Sequence, residues 1–210
     1  MTWTLYFVPG ACSLASHIAL EQAGADYRAK RVDFRVGGQR SPEYLAINPK
    51  GRVPALVTER GVITETPAIL TFVAQSFPAS SLALPADSFD VAQIQAIVSY
   101  FCSTAHPARS HRGRGARWAD DPAAIAEMAR KAPQVVGDCF DLIEAKMLVG
   151  PWVMGDAYSI CDPYLFTLSG WLAGDGMEIA RWPKVAAHHA RMLEDPAARR
   201  VLDAESPAAA

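Results

Sequence analysis

The hydropathy pattern changes partway along the chain, and this change constrains the fold more than any other sequence feature. Residues 1–78 contain short β-rich stretches and helical patterns that predict the order β-α-β, a connection, then β-β-α. From residue 89 to residue 210 the pattern predicts helices and no strand. Residues 79–88 are rich in Ser, Ala and Pro, as expected of a linker. The sequence therefore predicts an α/β N-terminal domain, a linker and an all-α C-terminal domain.

Turn and capping residues set the expected boundaries of these elements. Thr66 followed by Pro67 predicts a helix start with Thr66 as the N-cap. A Ser-x-x-Asp box at 159–162 predicts the start of another helix. We expect strands at 3–8, 27–34, 53–57 and 62–64, and helices at 13–23, 42–47, 66–77, 90–105, from 122 with a kink at Pro133, 164–172 and from 196.

Composition and charge exclude several classes of protein. Half of the 210 residues are apolar, so the chain can bury a core and wholesale disorder is excluded. A formal net charge of −2 is not that of a protein built to hold polyanions, so we expect no nucleic-acid partner. No segment has the pattern of a membrane span, and we expect neither a secretory signal nor a membrane partner.

The cysteines indicate a reducing compartment. Cys12, Cys102, Cys139 and Cys161 lie far apart and form no C-x-x-C pair. In a chain of this size without a signal, reduced thiols are expected rather than a disulfide framework. No cluster of His, Cys, Asp and Glu has the spacing of metal ligands. We therefore expect a cytoplasmic protein with no metal and no bound cofactor.

Cys12 is the most informative single residue. It follows the first predicted strand and the turn Pro9-Gly10, at the start of the next helix. Free backbone N–H groups and the helix dipole at such a position favour an anion, which lowers the pKa of a thiol. The alternative is a small apolar filler at a turn. Because Ala15 stands where a second cysteine would be, an external thiol is the better partner for a reactive Cys12.

Two short motifs have the groups needed to bind a peptide-like ligand. In Val53-Pro54 a proline begins a strand, a position where cis bonds occur and where the Val53 backbone is left free to pair with an extended ligand. Glu65-Thr66 places a carboxylate, a hydroxyl and unpaired N–H groups at one helix start, which suits an amino-acid zwitterion. Simple helix capping is the alternative for Glu65 and Thr66, and without other evidence it is favoured.

His106 and the aromatic residues leave two interpretations open. His106 lies four residues after Cys102, so the two share a helix face, and Pro107 predicts that the helix bends there. A catalytic histidine and a solvated or core histidine both fit this position. Any wall of an apolar pocket would come from a set of aromatic residues that otherwise belong to the core: Phe101, Trp118, Tyr164 and Trp171.

A basic, glycine-interrupted stretch follows His106. It faintly resembles Arg-Gly segments that bind nucleic acid, but it lacks interleaved aromatic residues. A solvated loop, or one paired with the neighbouring Asp120 and Asp121, is the favoured interpretation, and the target of the stretch is left open. Its basic residues are Arg109, Arg112, Arg114 and Arg117.

Taken together, these motifs resemble the glutathione transferases, and specifically their bacterial beta class. The resemblance covers essentially the whole chain and implies a thioredoxin-like N-terminal domain followed by an all-α domain that forms the acceptor-substrate pocket. It rests on five motifs in the family's order and spacing: YFVPGACSLASHIAL at 6–20, NPKGRVPAL at 48–56, ETPAIL at 65–70, His106, and SICDPYLFT at 159–167.

The resemblance implies a site for glutathione as co-substrate. Pro54 would be cis, and the backbone of Val53 would pair with the cysteinyl part of glutathione. Glu65-Thr66 would hold the γ-glutamyl end. Arg35 or Lys50 would meet the glycine carboxylate, since the alignment there is ambiguous.

The same resemblance implies the catalytic residues. Cys12 would lie beside the glutathione sulfur and would be able to form a mixed disulfide with it. Ser13 would hydrogen-bond the thiolate, and His106 would approach from the helical domain. Trp171 would form an aromatic wall of the acceptor pocket.

The implied function is a homodimeric, cytoplasmic enzyme of detoxification that conjugates the glutathione thiolate to small hydrophobic electrophiles. One alternative is a glutathione-dependent thiol–disulfide reductase that acts through a Cys12 mixed disulfide. Another is a non-catalytic module that binds hydrophobic ligands or a protein. Three departures leave room for these alternatives: Pro107 replaces a common Lys, and Ser99 and Thr104 stand where Asn and Glu are common.

Overall fold

A four-stranded mixed sheet forms the N-terminal part of the computed structural model, which describes residues 2–206. The strand order is β2-β1-β3-β4, with β2 parallel to β1 and with β3 and β4 antiparallel. The strands are β1 (Trp3–Phe7), β2 (Tyr27–Arg31), β3 (Ala55–Thr58) and β4 (Gly61–Thr64).

Helices cover both faces of this sheet. The alternation in β1 directs Leu5 and Phe7 into the main core, where they join apolar residues of α1 (Ser13–Gln22) and α3 (Thr66–Ser76). On the other face, α2 (Pro42–Ile47) contributes Tyr44 to a smaller core with Val32 and Val53. Tyr44 Oη also donates a 2.6 Å hydrogen bond to the Arg52 carbonyl, so α2 fixes the loop that leads into β3.

The remainder of the described chain is helical. The segment Trp152–Ala157 contributes two isolated β-bridges, and there is no further strand between residues 88 and 206. A π-helical segment, Phe101–Ala105, joins α4 to α5, so the chain continues as a helix through Pro107. The helices are α4 (Ser88–Tyr100), α5 (His106–Arg114), α6 (Pro122–Leu142), α7 (Cys161–Ser169), α8 (Pro183–Glu194) and α9 (Pro196–Glu205).

Asp162 anchors the centre of the helical region. Its Oδ2 accepts hydrogen bonds from the Ser159 N–H (2.7 Å) and hydroxyl (3.0 Å), which confirms the predicted Ser-x-x-Asp box. Its Oδ1 accepts from the Val153 N–H (2.8 Å) and lies 3.0 Å from His188 Nε2. His188 is itself buried, with 1% of its surface exposed.

The predicted fold class, an α/β part followed by a helical part, is confirmed by this architecture. Thr66 is not the N-cap of α3: the cap is Glu65, at φ 74°, and Thr66 is the first helical residue. The basic stretch is not a loop but forms much of α5. None of the helices in residues 2–206 combines the length and the apolar character that a membrane span requires.

Candidate functional site

A cavity of about 670 Å³ lies where the N-terminal part meets the π-helical segment, α5 and α7. Four chain segments of the N-terminal part form one wall: the turn before α1, the 3₁₀ segment near residue 39, the loop before β3 and the start of α3. The predicted site residues that line the cavity are Cys12, Val53, Pro54, Glu65, Thr66, His106 and Trp171. Of the predicted residues, Ser13, Arg35 and Lys50 do not line it.

Cys12 lies at the N-terminus of α1, opposite the Val53-Pro54 peptide. Its Sγ donates a hydrogen bond to the Val53 carbonyl at 3.3 Å. The Val53–Pro54 bond is cis, which confirms the conformation that the resemblance implied. The Thr66 hydroxyl donates to the Cys12 carbonyl at 3.4 Å. Three distant segments of the chain therefore meet at the thiol.

The electrostatics of Cys12 differ from the prediction. Burial raises the pKa of the Cys12 thiol to about 11, although the Thr66 hydroxyl and the positive charge of Arg114 act in the opposite direction. The predicted lowering of the pKa by the helix start is wrong, because loss of hydration outweighs the helix-terminal N–H groups. The thiol is therefore protonated at neutral pH and acts as a hydrogen-bond donor.

The turn before Cys12 is fixed by the helical region. Gly10 adopts φ 65°, which favours glycine, and its carbonyl accepts a 2.7 Å hydrogen bond from Trp171 Nε1. Its N–H donates to Glu205 Oε2 at 2.9 Å. The other Glu205 oxygen lies 2.8 Å from His17 Nδ1. Glu205 was missed by the sequence analysis, since no local pattern links it to residues almost 200 positions earlier.

Glu65 presents its carboxylate at the start of α3. The Lys50 ammonium pairs with this carboxylate and also donates to the Thr64 hydroxyl at 2.6 Å. Lys50 therefore holds Glu65 from outside the cavity, and the prediction that Lys50 meets a ligand carboxylate does not agree with its position. Thr66 is buried directly beside Glu65.

Ser13 and Arg35 also have partners that differ from those predicted. The Ser13 hydroxyl is fully buried and bonds the Val8 N–H and carbonyl at 3.1 and 3.2 Å, so its one proton is used within the fold. The Arg35 guanidinium pairs with Asp33 at 3.0 Å on the surface. Arg40 and Arg52 line the cavity instead, and Arg52, adjacent to Val53 in the sequence, was identifiable from the motif.

His106 faces the cavity as a neutral side chain. Burial and the nearby charges of Arg114 and Arg109 lower the pKa of His106 to about 4. Its ring centroid lies 5.0 Å from that of Trp171. Because the imidazolium is disfavoured above about pH 5, His106 offers a neutral hydrogen-bonding group rather than a cation.

The basic stretch divides into two pairs. Arg109 and Arg112 bind the carboxylate of Asp175 at 2.8 and 3.2 Å, which replaces the predicted pairing with Asp120 and Asp121. The Arg109 guanidinium also lies 4.7 Å from the centre of the Trp171 ring. The second pair, Arg114 and Arg117, lines the cavity.

Comparisons with known proteins identify the family. The family model "Glutathione S-transferase, N-terminal domain" matches residues 1–75. Glutathione S-transferase GstA of Escherichia coli O157:H7 is 30% identical over 203 residues, which cover 96% of this chain and 98% of GstA. The chain belongs to the glutathione S-transferase family. The chain is also similar to members of this family whose structures are solved.

Two solved structures show the shared transferase fold. A glutathione transferase homolog from Sulfitobacter with bound glutathione is 41% identical, with a TM-score of 0.93 over 96% of this chain and 97% of its own. The bacterial beta-class glutathione S-transferase of Sphingomonas chungbukensis is 30% identical, with a TM-score of 0.84 over 97% and 98% of the two chains. The predicted glutathione transferase fold is confirmed, and beta-class transferases are among its relatives.

Family membership does not fix the reaction. The relative named disulfide-bond oxidoreductase YfcG, from Escherichia coli K12, is 25% identical over 207 residues. Relatives of this chain therefore include both a named transferase and a named oxidoreductase.

Proposed function

We propose that this transferase-family protein conjugates the thiolate of glutathione to small electrophiles bound in the cavity. The observation that carries the proposal is the convergence of Cys12, the Val53 backbone and the Glu65-Thr66 helix start in one cavity. These groups match, in order, the thiol, the peptide backbone and the zwitterionic end of glutathione. Trp171 and Tyr164 supply apolar wall for the electrophile.

The charges of the cavity support one orientation of glutathione. The Glu65 carboxylate suits the γ-glutamyl ammonium, and the free N–H groups at the start of α3 suit the adjoining carboxylate. Arg40 and Arg52 take the role of binding the glycine carboxylate, in place of Arg35 and Lys50. The cysteinyl part then lies against Val53, with its sulfur toward Cys12.

The raised pKa of Cys12 gives this residue a specific part in conjugation. A protonated Cys12 thiol is a weak nucleophile and does not compete with glutathione for the electrophile. When glutathione pairs with the Val53 carbonyl, the Cys12 S–H is released from that carbonyl and turns to the glutathione sulfur. Glutathione gives up its thiol proton to solvent, its thiolate attacks the electrophilic carbon to form a C–S bond, and the leaving group departs with the bonding electron pair.

Calorimetric titration of reduced glutathione into the purified protein tests the site. We expect saturable binding in the micromolar to low millimolar range, weakened about tenfold by Glu65→Gln because a charged contact to the ammonium is lost. The matched control is Glu59→Gln, an exposed glutamate on the β3–β4 turn that does not line the cavity. Absence of binding, or equal affinity in the two variants, would refute the proposed orientation.

A second candidate function is glutathione-dependent disulfide reduction through Cys12. It is favoured by the position of Cys12 Sγ, 3.3 Å from the carbonyl against which the glutathione cysteinyl would lie. The Cys12 thiolate attacks a mixed disulfide of glutathione and releases the other thiol. A glutathione thiolate then attacks the Cys12–glutathione disulfide and releases oxidised glutathione, which restores Cys12. Reduction that survives without Cys12 would refute this candidate.

We also propose that the protein is a cytoplasmic homodimer. The dimer is supported by an exposed groove between α5 and α6 with apolar side chains such as Met128 and Val135, which a second copy would cover. Sedimentation equilibrium tests this directly, and the mass of a single chain at micromolar concentration would refute it.

A further inference from the structure

Five arginines line the cavity: Arg109, which pairs with Asp175, and four others. Arg40 and Arg52 come from the N-terminal part, and Arg114 and Arg117 come from the end of α5 and the turn after it. Within residues 2–206, none of the four forms an ion pair with a carboxylate. Among those residues, Glu65 is the only acidic side chain that lines the cavity, and it pairs with Lys50 on its outer side.

These arginines lie close enough to act on one another and on the reacting centre. Partial burial and the charges of Arg114, Arg52 and Arg40 lower the pKa of Arg117. The charge of Arg114 also stabilises the thiolate form of Cys12. Mutual repulsion of unneutralised cations in a concave site is relieved when an anion binds there. The positive charge of these arginines therefore favours binding of an anionic ligand, and the charge of Arg114 also acts on the Cys12 sulfur.

In the proposed orientation, glutathione pairs with only two of these four arginines. Its glycine carboxylate is matched by Arg40 and Arg52, and its γ-glutamyl end by Glu65-Thr66 and the α3 N-terminus. Arg114 and Arg117 lie across the cavity on the helical side, with the walls that would hold the electrophile. No group of glutathione remains to pair with them.

We infer that Arg114 and Arg117 bind a carboxylate on the electrophilic second substrate. The inference rests on the proposed function and narrows it: the acceptor has an apolar part for Trp171 and Tyr164, and an anionic end for the two arginines. The planar guanidinium fork matches a carboxylate with two parallel hydrogen bonds, so the arginines would also orient the electrophilic carbon toward the sulfur.

The test compares two electrophiles of similar shape and different charge, 4-chloro-3,5-dinitrobenzoate and its neutral carboxamide. Each enzymatic rate is divided by the rate of the uncatalysed reaction with glutathione, because the carboxamide withdraws electrons from the ring more strongly than the carboxylate does. In both, the glutathione thiolate attacks the ring carbon that bears chlorine and chloride leaves with the bonding pair. We expect the wild type to favour the carboxylate in kcat/KM. R114Q/R117Q should lower the ratio of the carboxylate kcat/KM to the carboxamide kcat/KM by about tenfold, because any effect of Arg114 on the sulfur is common to both electrophiles.

R112Q is the matched control, because Arg112 lies on the same helix and binds Asp175 instead of lining the cavity. We expect R112Q to keep the wild-type ratio of the two kcat/KM values. At saturating glutathione, raising the salt concentration should lower kcat/KM for the carboxylate more than for the carboxamide. Equal losses on both electrophiles, or no loss on either, in R114Q/R117Q would overturn the inference.

Binding of the two preformed glutathione conjugates separates this inference from the proposed function. If the wild type consumes neither electrophile, the proposed conjugation fails. The inference is still supported if the wild type binds the carboxylate conjugate about tenfold more tightly than the carboxamide conjugate and R114Q/R117Q does not. It is overturned if the wild type binds both conjugates equally.

Discussion

Replacement of Asp162 with alanine is expected to lower the free energy of unfolding by about 3–5 kcal/mol. Asp162 is fully buried and accepts hydrogen bonds from the Ser159 N–H, the Ser159 hydroxyl and the Val153 N–H. Its removal leaves these donors and the buried His188 ring without their acceptor. Each unsatisfied buried donor costs about 1–3 kcal/mol, so the loss is large even after partial relaxation.

The measurement is the urea unfolding midpoint, followed by circular dichroism. The matched control is Asp138→Ala, an exposed aspartate on α6, which should change the free energy of unfolding by less than about 0.5 kcal/mol. Asp162→Asn retains one acceptor oxygen and should fall between the control and Asp162→Ala. A loss below about 1 kcal/mol in Asp162→Ala would contradict the role of this box as the anchor of the helical region.

Replacement of Cys12 with alanine is expected to abolish disulfide reduction and to leave conjugation within about tenfold of the wild type. Reduction needs the Cys12 sulfur to form a covalent mixed disulfide, whereas conjugation uses it only as a hydrogen-bond donor to the glutathione thiolate. The two reactions are measured on the same preparation, with a glutathione mixed disulfide and an aryl halide as substrates. Equal loss of both activities would contradict this separation of roles.

Cys102→Ala is the matched control, since Cys102 is the other cysteine that lines the cavity. We expect it to retain both activities. The pH dependence adds a second measurement: the pKa of Cys12 is raised to about 11, so the thiolate fraction and the rate of its attack should increase about tenfold per pH unit between pH 7 and pH 10. A rate of reduction that reaches its plateau near neutral pH would show a low-pKa nucleophile instead.

Local signals were sufficient to predict most of the N-terminal fold. The helices at residues 13–23 and 42–47 were predicted within one residue of α1 and α2, because proline, serine and glycine mark their ends. The Ser159–Asp162 box was likewise predicted from two side chains three residues apart. In each case the residues that determine the structure are neighbours in the sequence.

Elements stabilised by distant contacts were not predictable in this way. Helix α8 was not assigned bounds, and the burial of His188 on it has no local sequence signal, because histidine counts as polar in a periodicity argument. Its burial depends on Asp162, 26 residues earlier in the chain. The continuation of the helix through Pro107 depends on the π-helical segment before it, for which the sequence carries no simple signal.

The candidate site shows the same division. The prediction of Cys12, Val53-Pro54 and Glu65-Thr66 rested on motifs and agrees with the cavity lining. The predicted lowering of the Cys12 pKa was wrong because the pKa depends on how much protein surrounds the sulfur, which is a property of the assembled fold. Arg35 was predicted and Arg40 was not considered, because within a loop of 3₁₀ turns sequence spacing does not determine which side chain faces inward.

The backbone N–H and carbonyl of Gly10 are both hydrogen-bonded by the C-terminal half of the chain, through Glu205 and Trp171. The geometry around Cys12 therefore depends on both the N-terminal part and the helical region of the chain. A chimera that joins residues 1–78 to the helical region of another family member will rebuild the turn only if that region supplies an indole N–H and a carboxylate at these two places. Recombination between relatives is therefore constrained at positions 171 and 205 as well as in the N-terminal motif.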